Sequence, residues 1–186
     1  TLYQEGKRPR FLYYLVSGKV KGFKSHEDGK EYITDLFSAG DFIGYTALIE
    51  DKNYDDSASI LEEAEIMEIP RDEFLGMIYS DINIATKFIR IVTQNVKEKE
   101  ERLLNLAYSS LRKRVARALV DIYEKFNKNR QKSLIEFSRE DIAQYVGTAT
   151  ESLIRTLSDF KSENLIEIKS GKISIINLDK LKNLLY

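Results

Sequence analysis

SREDIAQYVGTATESLIRTL, residues 138–157, decides how the C-terminal part of the chain folds. The stretch predicts a short helix over Ile142 to Tyr145, ended by Val146-Gly147, and a second helix that begins at Thr148 and runs to about Phe160. Ser138 and Asp141 have capping-box spacing at the first helix, in a weaker version because the box uses Glu or Gln. Two short helices joined by a turn that contains glycine form a helix-turn-helix.

The segments on either side of these two helices complete a DNA-binding type of domain. Residues 165–168 and 173–176 are predicted strands around a turn that contains Gly171, which is the arrangement of a wing. An amphipathic helix is predicted upstream, from the N-cap Ser110 to about Phe126. Helix, turn, helix and wing in this order indicate a winged helix-turn-helix.

The N-terminal part has a different pattern. Short β-branched and aromatic runs alternate with glycine turns up to about Ile69, without a helical stretch of any length, at residues 11–16, 20–23, 32–37 and 57–61. Ser17-Gly18 is a predicted corner, and Asp28-Gly29 suits a tight hairpin, where positive φ is required. Many short, evenly spaced strands favour an antiparallel β-roll or jelly roll.

A long helix connects the two parts. Apolar positions recur three and four residues apart, with one lysine among them, at Ile82, Ala85, Ile89, Val92, Val96, Lys99, Leu103 and Leu106. This spacing is typical of a coiled-coil seam and predicts a parallel homodimer. The alternative is a helix packed on its own β domain, which also shows periodic apolar positions. The charged residues around Val96 favour the narrow seam between two helices.

The predicted fold class is therefore α+β with three parts. Residues 1–79 form the β-roll domain, residues 80–108 the dimerisation helix and residues 109–186 the winged helix-turn-helix. Lys and Arg number 14 against 20 Asp and Glu up to residue 108, and 15 against 10 after it. The C-terminal part is thus basic, and we expect it to be the part that meets a polyanion.

Composition excludes several functional classes. The sequence has no cysteine and one histidine, His26, so it offers no ligands for a cysteine-held iron-sulfur cluster or a histidine-based metal centre. Neither a cupin-like enzyme nor nucleophilic or phosphoryl-transfer chemistry has candidate residues. No run of 18 apolar residues and no signal peptide is present, so we expect a cytoplasmic protein that does not enter a membrane.

Three motifs resemble one known family across essentially the whole chain. Gly40-Asp41-Phe42-Ile43-Gly44 resembles the β-roll signature of the CRP/FNR regulators, and residues 12–20 resemble its early hairpin. Residues 140–147, followed by Thr150-Glu151-Ser152 and Arg155, resemble its DNA-reading element. The resemblance also implies that part of the usual β-roll start is absent, because Thr1 aligns inside the first strands.

The resemblance implies a dimeric, sequence-specific transcription regulator on a palindromic DNA site. The predicted partners are double-stranded DNA, a second copy of the chain and, for an activator, RNA polymerase. The alternative is a β-roll ligand-sensing or protein-interaction module whose helix-turn-helix no longer binds DNA. The basic charge of the C-terminal part favours the DNA-binding hypothesis.

Individual DNA contacts can be assigned within the second helix. Arg155 can donate a bidentate pair to guanine, Glu151 can accept from cytosine, and Thr150 can make a smaller base contact. The alternatives are a capping box between Glu151 and Thr148 and an ion pair between Arg155 and Asp159.

A second group of side chains is expected to contact the DNA backbone. Ser138, Arg139 and Ser152 are the predicted phosphate contacts, which set position and carry no sequence information.

The resemblance also locates an effector pocket, near Gly44, Tyr45, Asp56, Ser57 and Lys99. In the family's cyclic-nucleotide binders a Glu follows the signature, an Arg precedes a Ser, and a Thr-Ser pair lies on the long helix. Tyr45, Asp56 and Lys99 with Glu100 stand at those places here. Asp56 would repel the phosphate, so cyclic AMP is disfavoured, and the expected effector is an unknown small molecule or none.

Overall fold

The computed structural model describes residues 1–127 and 134–185. These fall into two units, Thr1–Glu100 and Glu101–Tyr186. The first is dominated by antiparallel strands and the second by helices, which confirms the predicted α+β class.

The first unit is organised around a 15-residue strand, β1 (Phe11–Ser25). It pairs antiparallel with β2 (Glu31–Phe37), β3 (Phe42–Ile43) and β4 (Ser57–Pro70). One face of this sheet buries an aromatic and aliphatic core, made of Tyr3, Tyr13, Leu15, Val20, Ile43, Ala47, Tyr54 and Ala58. The predicted antiparallel β-roll is confirmed.

The predicted corner at Ser17-Gly18 is wrong, because β1 runs straight through it. The pairing of β1 with β4 shifts register between Leu15 and Val20, so the glycine lies in a bulge inside one strand. Gly18 has φ +97°, and a Cβ there would lie 2.6 Å from the Cα of Ala64. A bulge bends a strand without ending it, which accounts for the sequence pattern of a corner.

The hairpin at Asp28-Gly29 forms as predicted. The backbone N–H of His26 donates to the carbonyl of Lys30 over 2.8 Å, and Gly29 has φ +80°.

One helix interrupts the region that was expected to lack helices, and a second helix follows that region. α1 (Tyr45–Glu50) follows Gly44, whose φ of +81° turns the chain out of β3, and α2 (Arg71–Ser80) follows β4 directly. The expectation of no helix before Ile69 is therefore wrong for α1. Six residues are fewer than two helical turns, too short to show an amphipathic period.

The long helix α3 (Ile82–Tyr108) is 27 residues long and uses two of its faces differently. Phe88 is buried within the first unit, against a cluster that contains Leu12, Tyr45, Leu48 and Phe74. A neighbouring face exposes large apolar side chains, at Ile82, Ile89, Val92, Val96 and Leu103. Packing on the helix's own domain and an unpartnered apolar strip therefore occur together, on different faces.

The second unit begins with the last residues of α3, which are followed by α4 (Leu111–Asn127). α4 buries Val115, Leu119 and Ile122. Its remaining elements are β5 (Leu134–Ile135), α5 (Arg139–Val146), α6 (Thr150–Ser162), β6 (Ile166–Lys169), β7 (Lys172–Ile175) and α7 (Leu178–Asn183). The antiparallel sheet has the order β5-β7-β6.

Two consecutive residues form the tip of the wing. Ser170 has φ +49° and Gly171 has φ +80°, as in a type I′ hairpin. The winged helix-turn-helix is present as predicted. Among the residues described, no helix has the length and apolar character to span a bilayer.

The bulge at Gly18 leads to a prediction about the stability of the protein. Gly18→Ala should lower the free energy of unfolding by about 2 to 4 kcal/mol, because a Cβ collides with β4 backbone and positive φ is strained. Gly76→Ala is the matched control, since Gly76 lies in α2 with open space around it and should become neutral to about 1 kcal/mol more stable. Urea denaturation of both variants measures the difference. Equal stabilities of the two variants would contradict the bulge.

Candidate nucleic-acid interface and effector cavity

The first helix of the helix-turn-helix, α5, is capped by Ser138. Its Oγ accepts from the backbone N–H of Asp141 over 2.9 Å and donates to the Asp141 carboxylate over 2.6 Å. Gly147 ends the helix with φ +73°. Ser138 therefore caps the helix as predicted, and the Asp141 carboxylate accepts from the Ser138 hydroxyl, whereas a full capping box uses the Ser138 backbone N–H.

The reading helix α6 begins two residues later than predicted. Its N-cap is Ala149, without a side-chain cap, so the capping box between Thr148 and Glu151 is not formed. The reason lies in α5, because the N–H groups of Gly147 and Thr148 both donate to the carbonyl of Ala143. Thr148 thus belongs to the end of α5.

The two sides of α6 differ sharply. Leu153, Thr156, Leu157 and Phe160 are buried, whereas Glu151 and Arg155 are exposed. Arg155 and Asp159 both lie in the described part of the chain, and their side chains form no ion pair with each other. The alternative to base reading by Arg155 is therefore absent. The side chains predicted to read bases are therefore presented to solvent on a helix held by its other side.

Sequence reasoning missed Ile154, which lies next to Arg155 and is 46% exposed. Apolar side chains on a reading helix can contact the methyl group of thymine. Helical periodicity could have identified Ile154. The buried positions of α6 are 153, 156, 157 and 160, and residue 154 lies outside the apolar face that they form.

The three predicted phosphate contacts differ in burial and in the hydrogen bonds that they already make. The Ser138 hydroxyl is engaged with Asp141, and Ser152 is half-buried with its carbonyl accepting from Thr156. Arg139 is half-buried, and burial lowers the pKa of its guanidinium. Its Nη1 is buried and meets no hydrogen-bond partner within the described chain. Arg139 is thus the strongest of the three candidates for an anion.

Arg102 holds the end of α5 in place. Its guanidinium donates to the carbonyl of Tyr145 over 3.1 Å and lies 4.2 Å from the centre of the Tyr145 ring. A hydrogen bond and a cation-π contact to one residue restrict the rotation of α5. This arrangement helps to keep the helix-turn-helix rigid.

The first unit contains a cavity of about 130 Å³ at the predicted effector position. Gly44, Tyr45, Asp56 and Lys99 line it, as the resemblance implied. Ser57 does not, because its Oγ turns away to accept from the backbone N–H of Glu5 over 3.0 Å. Other lining residues had not been anticipated, among them Tyr3, Asp35, Tyr54, Asp55 and Asn95.

Three carboxylates line the cavity, and lysines neutralise two of them. Lys99 lies 3.2 Å from Asp35, and Lys24 lies 2.9 Å from Asp55. Asp56 has no ion-pair partner among the described residues. Burial raises the pKa of its carboxyl to about 6, a hydrogen bond from Tyr3 opposes the rise, and Asp55 and Asp35 add to it.

Lys99 was predicted both in the seam and in the pocket. Its contact with Asp35 directs the ammonium group toward the cavity. The lysine therefore lies between the packed face of α3 and the exposed strip.

Tyrosines form much of the remaining wall. The rings of Tyr3 and Tyr54 stack with centroids 3.8 Å apart, and Asn95 on α3 donates to the hydroxyl of Tyr45. Burial raises the pKa of all three phenols. The Tyr54 hydroxyl is buried without a hydrogen-bond partner in the described structure.

These charges do not fit a cyclic nucleotide. A cyclic phosphate is an anion, and the cavity would bring it toward Asp56, the carboxylate that no lysine pairs with in the described structure. Like charges in a partly buried site repel strongly.

Comparison with known proteins gives matches for both units. Residues 1–81 match the cyclic nucleotide-binding domain family, and residues 113–184 match the Crp-like helix-turn-helix domain family. The fumarate and nitrate reduction regulatory protein of Yersinia pestis is 26% identical over 187 residues, covering 99% of this chain and 74% of that protein. The CRP-like cAMP-activated global transcriptional regulator of Mycobacterium tuberculosis is 24% identical, covering 97% of this chain and 82% of that protein.

The fold is also shared with a solved structure. FixK2 from Bradyrhizobium japonicum superposes with a TM-score of 0.86 at 21% identity, covering 98% of this chain and 91% of that one. The relatives named above are regulators and not enzymes. With both domain families matched in order and regulators aligned over nearly its full length, the chain belongs to the CRP/FNR family of transcription regulators.

Proposed function

We propose that this regulator binds a palindromic DNA site as a homodimer and does not respond to cyclic AMP. The observation that carries the proposal is the exposed face of α6, where Glu151 and Arg155 project from a helix whose other face is buried. A helix of this kind enters the major groove and reads base edges.

Each part of the chain takes one role in this proposal. Residues 1–79 act as the sensor, residues 80–108 as the dimerisation helix and residues 109–186 as the DNA-binding domain. Thr150, Glu151 and Arg155 contact bases, while Ser138, Arg139 and Ser152 contact phosphates. A regulator of DNA is expected to act in the cytoplasm, and an activator would also contact RNA polymerase.

Support for the dimer comes from α3. Val92 is 41% exposed and Leu103 is 66% exposed, in a strip that nothing in the described chain covers. Ala85 and Leu106 lie on the same strip and are half-buried. Apolar residues at three-four spacing pack as a parallel pair of helices, and two-fold symmetry then places one reading helix in each half-site.

The exposed strip of α3 leads to a prediction about the oligomeric state. Val92→Asp or Leu103→Asp should shift the protein from dimer to monomer at micromolar concentration, because each places a charge inside an apolar seam. Gln94→Asp is the matched control, since Gln94 is exposed on the far side of α3 and should leave the dimer intact. Sedimentation velocity measures the mass. A wild-type monomer, or variants that dimerise as well as the control, would contradict the seam.

A further prediction separates base reading from phosphate contact. Arg155→Ala should reduce the free energy of DNA binding by about 1 to 3 kcal/mol per half-site and relax the preference at one base pair. The salt dependence of binding should change little. Arg139→Ala should weaken binding to all DNA sequences alike. The slope of log binding constant against log salt concentration should fall by about one per lost contact. Titrations of consensus and scrambled duplexes at several salt concentrations measure both effects.

Two further variants control this experiment. Lys180→Ala removes one positive charge on α7 and should change neither specificity nor preferred base. Glu151→Gln keeps the shape of the side chain but changes its acceptor pattern, so it should change the preferred base. Equal losses on both duplexes for Arg155→Ala would make Arg155 a positioning residue.

Another prediction concerns cyclic AMP. Saturating cyclic AMP should leave both the melting temperature and the DNA affinity unchanged, because Asp56, the carboxylate that no lysine pairs with in the described structure, repels its phosphate. A ligand that did bind would add about 2 to 4 kcal/mol at saturation, which thermal shift detects readily. A clear rise in melting temperature at millimolar cyclic AMP would refute this part of the proposal.

A further inference from the structure

The cavity of the first unit has the charge and wall chemistry of a site for a cation. We propose that it binds a small organic cation, a primary amine carrying an ammonium group, as the effector of the regulator. The proposal rests on the proposed function only in calling the ligand an effector. The contacts that would hold the ligand all lie in the cavity.

The charge balance points to one missing cation. Asp35 and Asp55 each have a lysine within 3.2 Å, whereas Asp56 pairs with none in the described chain. Asp56 is half-buried and accepts a hydrogen bond from the Tyr3 hydroxyl, and the charge of Lys99 acts on it without forming an ion pair. A carboxylate kept away from water beside two further carboxylates is stabilised by an opposite charge placed next to it. An ammonium group supplies that charge and up to three hydrogen-bond donors.

A second, independent observation is the hydroxyl of Tyr54. Tyr54 is 4% exposed, lines the cavity and has no hydrogen-bond partner for its hydroxyl among the described residues. A Cβ placed on Gly44, another lining residue, would come within 3.4 Å of that hydroxyl, so the group sits at the Gly44 side of the wall. Buried polar groups are almost always paired. A bound donor would pair this one.

The walls favour an organic ion. Tyr3 and Tyr54 stack at the cavity, and Tyr45 and Phe37 line it as well. Aromatic rings attract ammonium groups through their quadrupoles and pack against the attached carbons. In the described residues the carboxylates do not form a cluster that could hold a metal ion. The cavity is also smaller than the roughly 300 to 1,000 Å³ of drug-sized sites, so the occupant is small.

Isothermal titration with putrescine and with butylamine tests the inference, on the full chain without DNA and at constant ionic strength. Both amines should bind, and Asp56→Asn should weaken the affinity by about tenfold or more. Asp72→Asn is the matched control, because its side chain is 95% exposed on α2 and the change removes the same charge. Its affinity should equal that of the wild type.

Tyr54→Phe gives a second variant that keeps the ring and removes only the unpaired hydroxyl. It should weaken the affinity by a few fold while the protein stays folded, so the test stands even if Asp56→Asn unfolds. Absence of amine binding at 10 mM, equal weakening in Asp72→Asn, or unchanged affinity in both cavity variants would overturn the inference. Since no DNA is present, a failure of DNA binding would contradict the proposed function alone.

Discussion

The packing of Phe88 is the contact on which the arrangement of the first unit depends. Its ring lies between those of Phe42, Tyr45 and Phe74, with centroids 4.9 to 5.8 Å away. A buried aromatic side chain fixes the rotation of the helix that carries it, because few orientations fill the same space. Everything else on this part of α3 is placed by that rotation.

The rotation of α3 has two consequences, one on its packed face and one on its exposed face. Asn95 and Lys99 stand seven and eleven residues after Phe88, close to whole helical turns, so they reach the cavity wall. Ile89 and Val92 are rotated away from the packed face and remain exposed. The helix can therefore line a ligand site and offer an apolar strip, without one use competing with the other.

The parts of the fold that could be predicted from the sequence are those that depend on residues close together in the chain. Ser138, Gly147 and Gly171 each specify a cap or a turn within a few residues, so the helix-turn-helix and its wing could be predicted. The cavity could be located only through resemblance, and Asp35 and Asp55 were missed. They reach it from different strands and loops, a placement set by long-range pairing that no local pattern contains. Thr148 was misassigned because the end of α5 and the start of α6 compete for the same residue.

The bulge at Gly18 also changes how the strand should be counted. Leu15 and Val20 belong to one core, yet an odd number of steps separates them, and a regular strand would send them to opposite faces. Leu15 pairs with Ile66 and Val20 with Ile60, so five steps on β1 oppose six on β4, and the net extra residue of this irregular segment lies on β4, opposite the region around Gly18. The bulge acts as a phase shift in the pleat. A single-residue insertion elsewhere in β1 would invert one half of the strand, whereas the segment around Gly18 is where a change of phase is already absorbed.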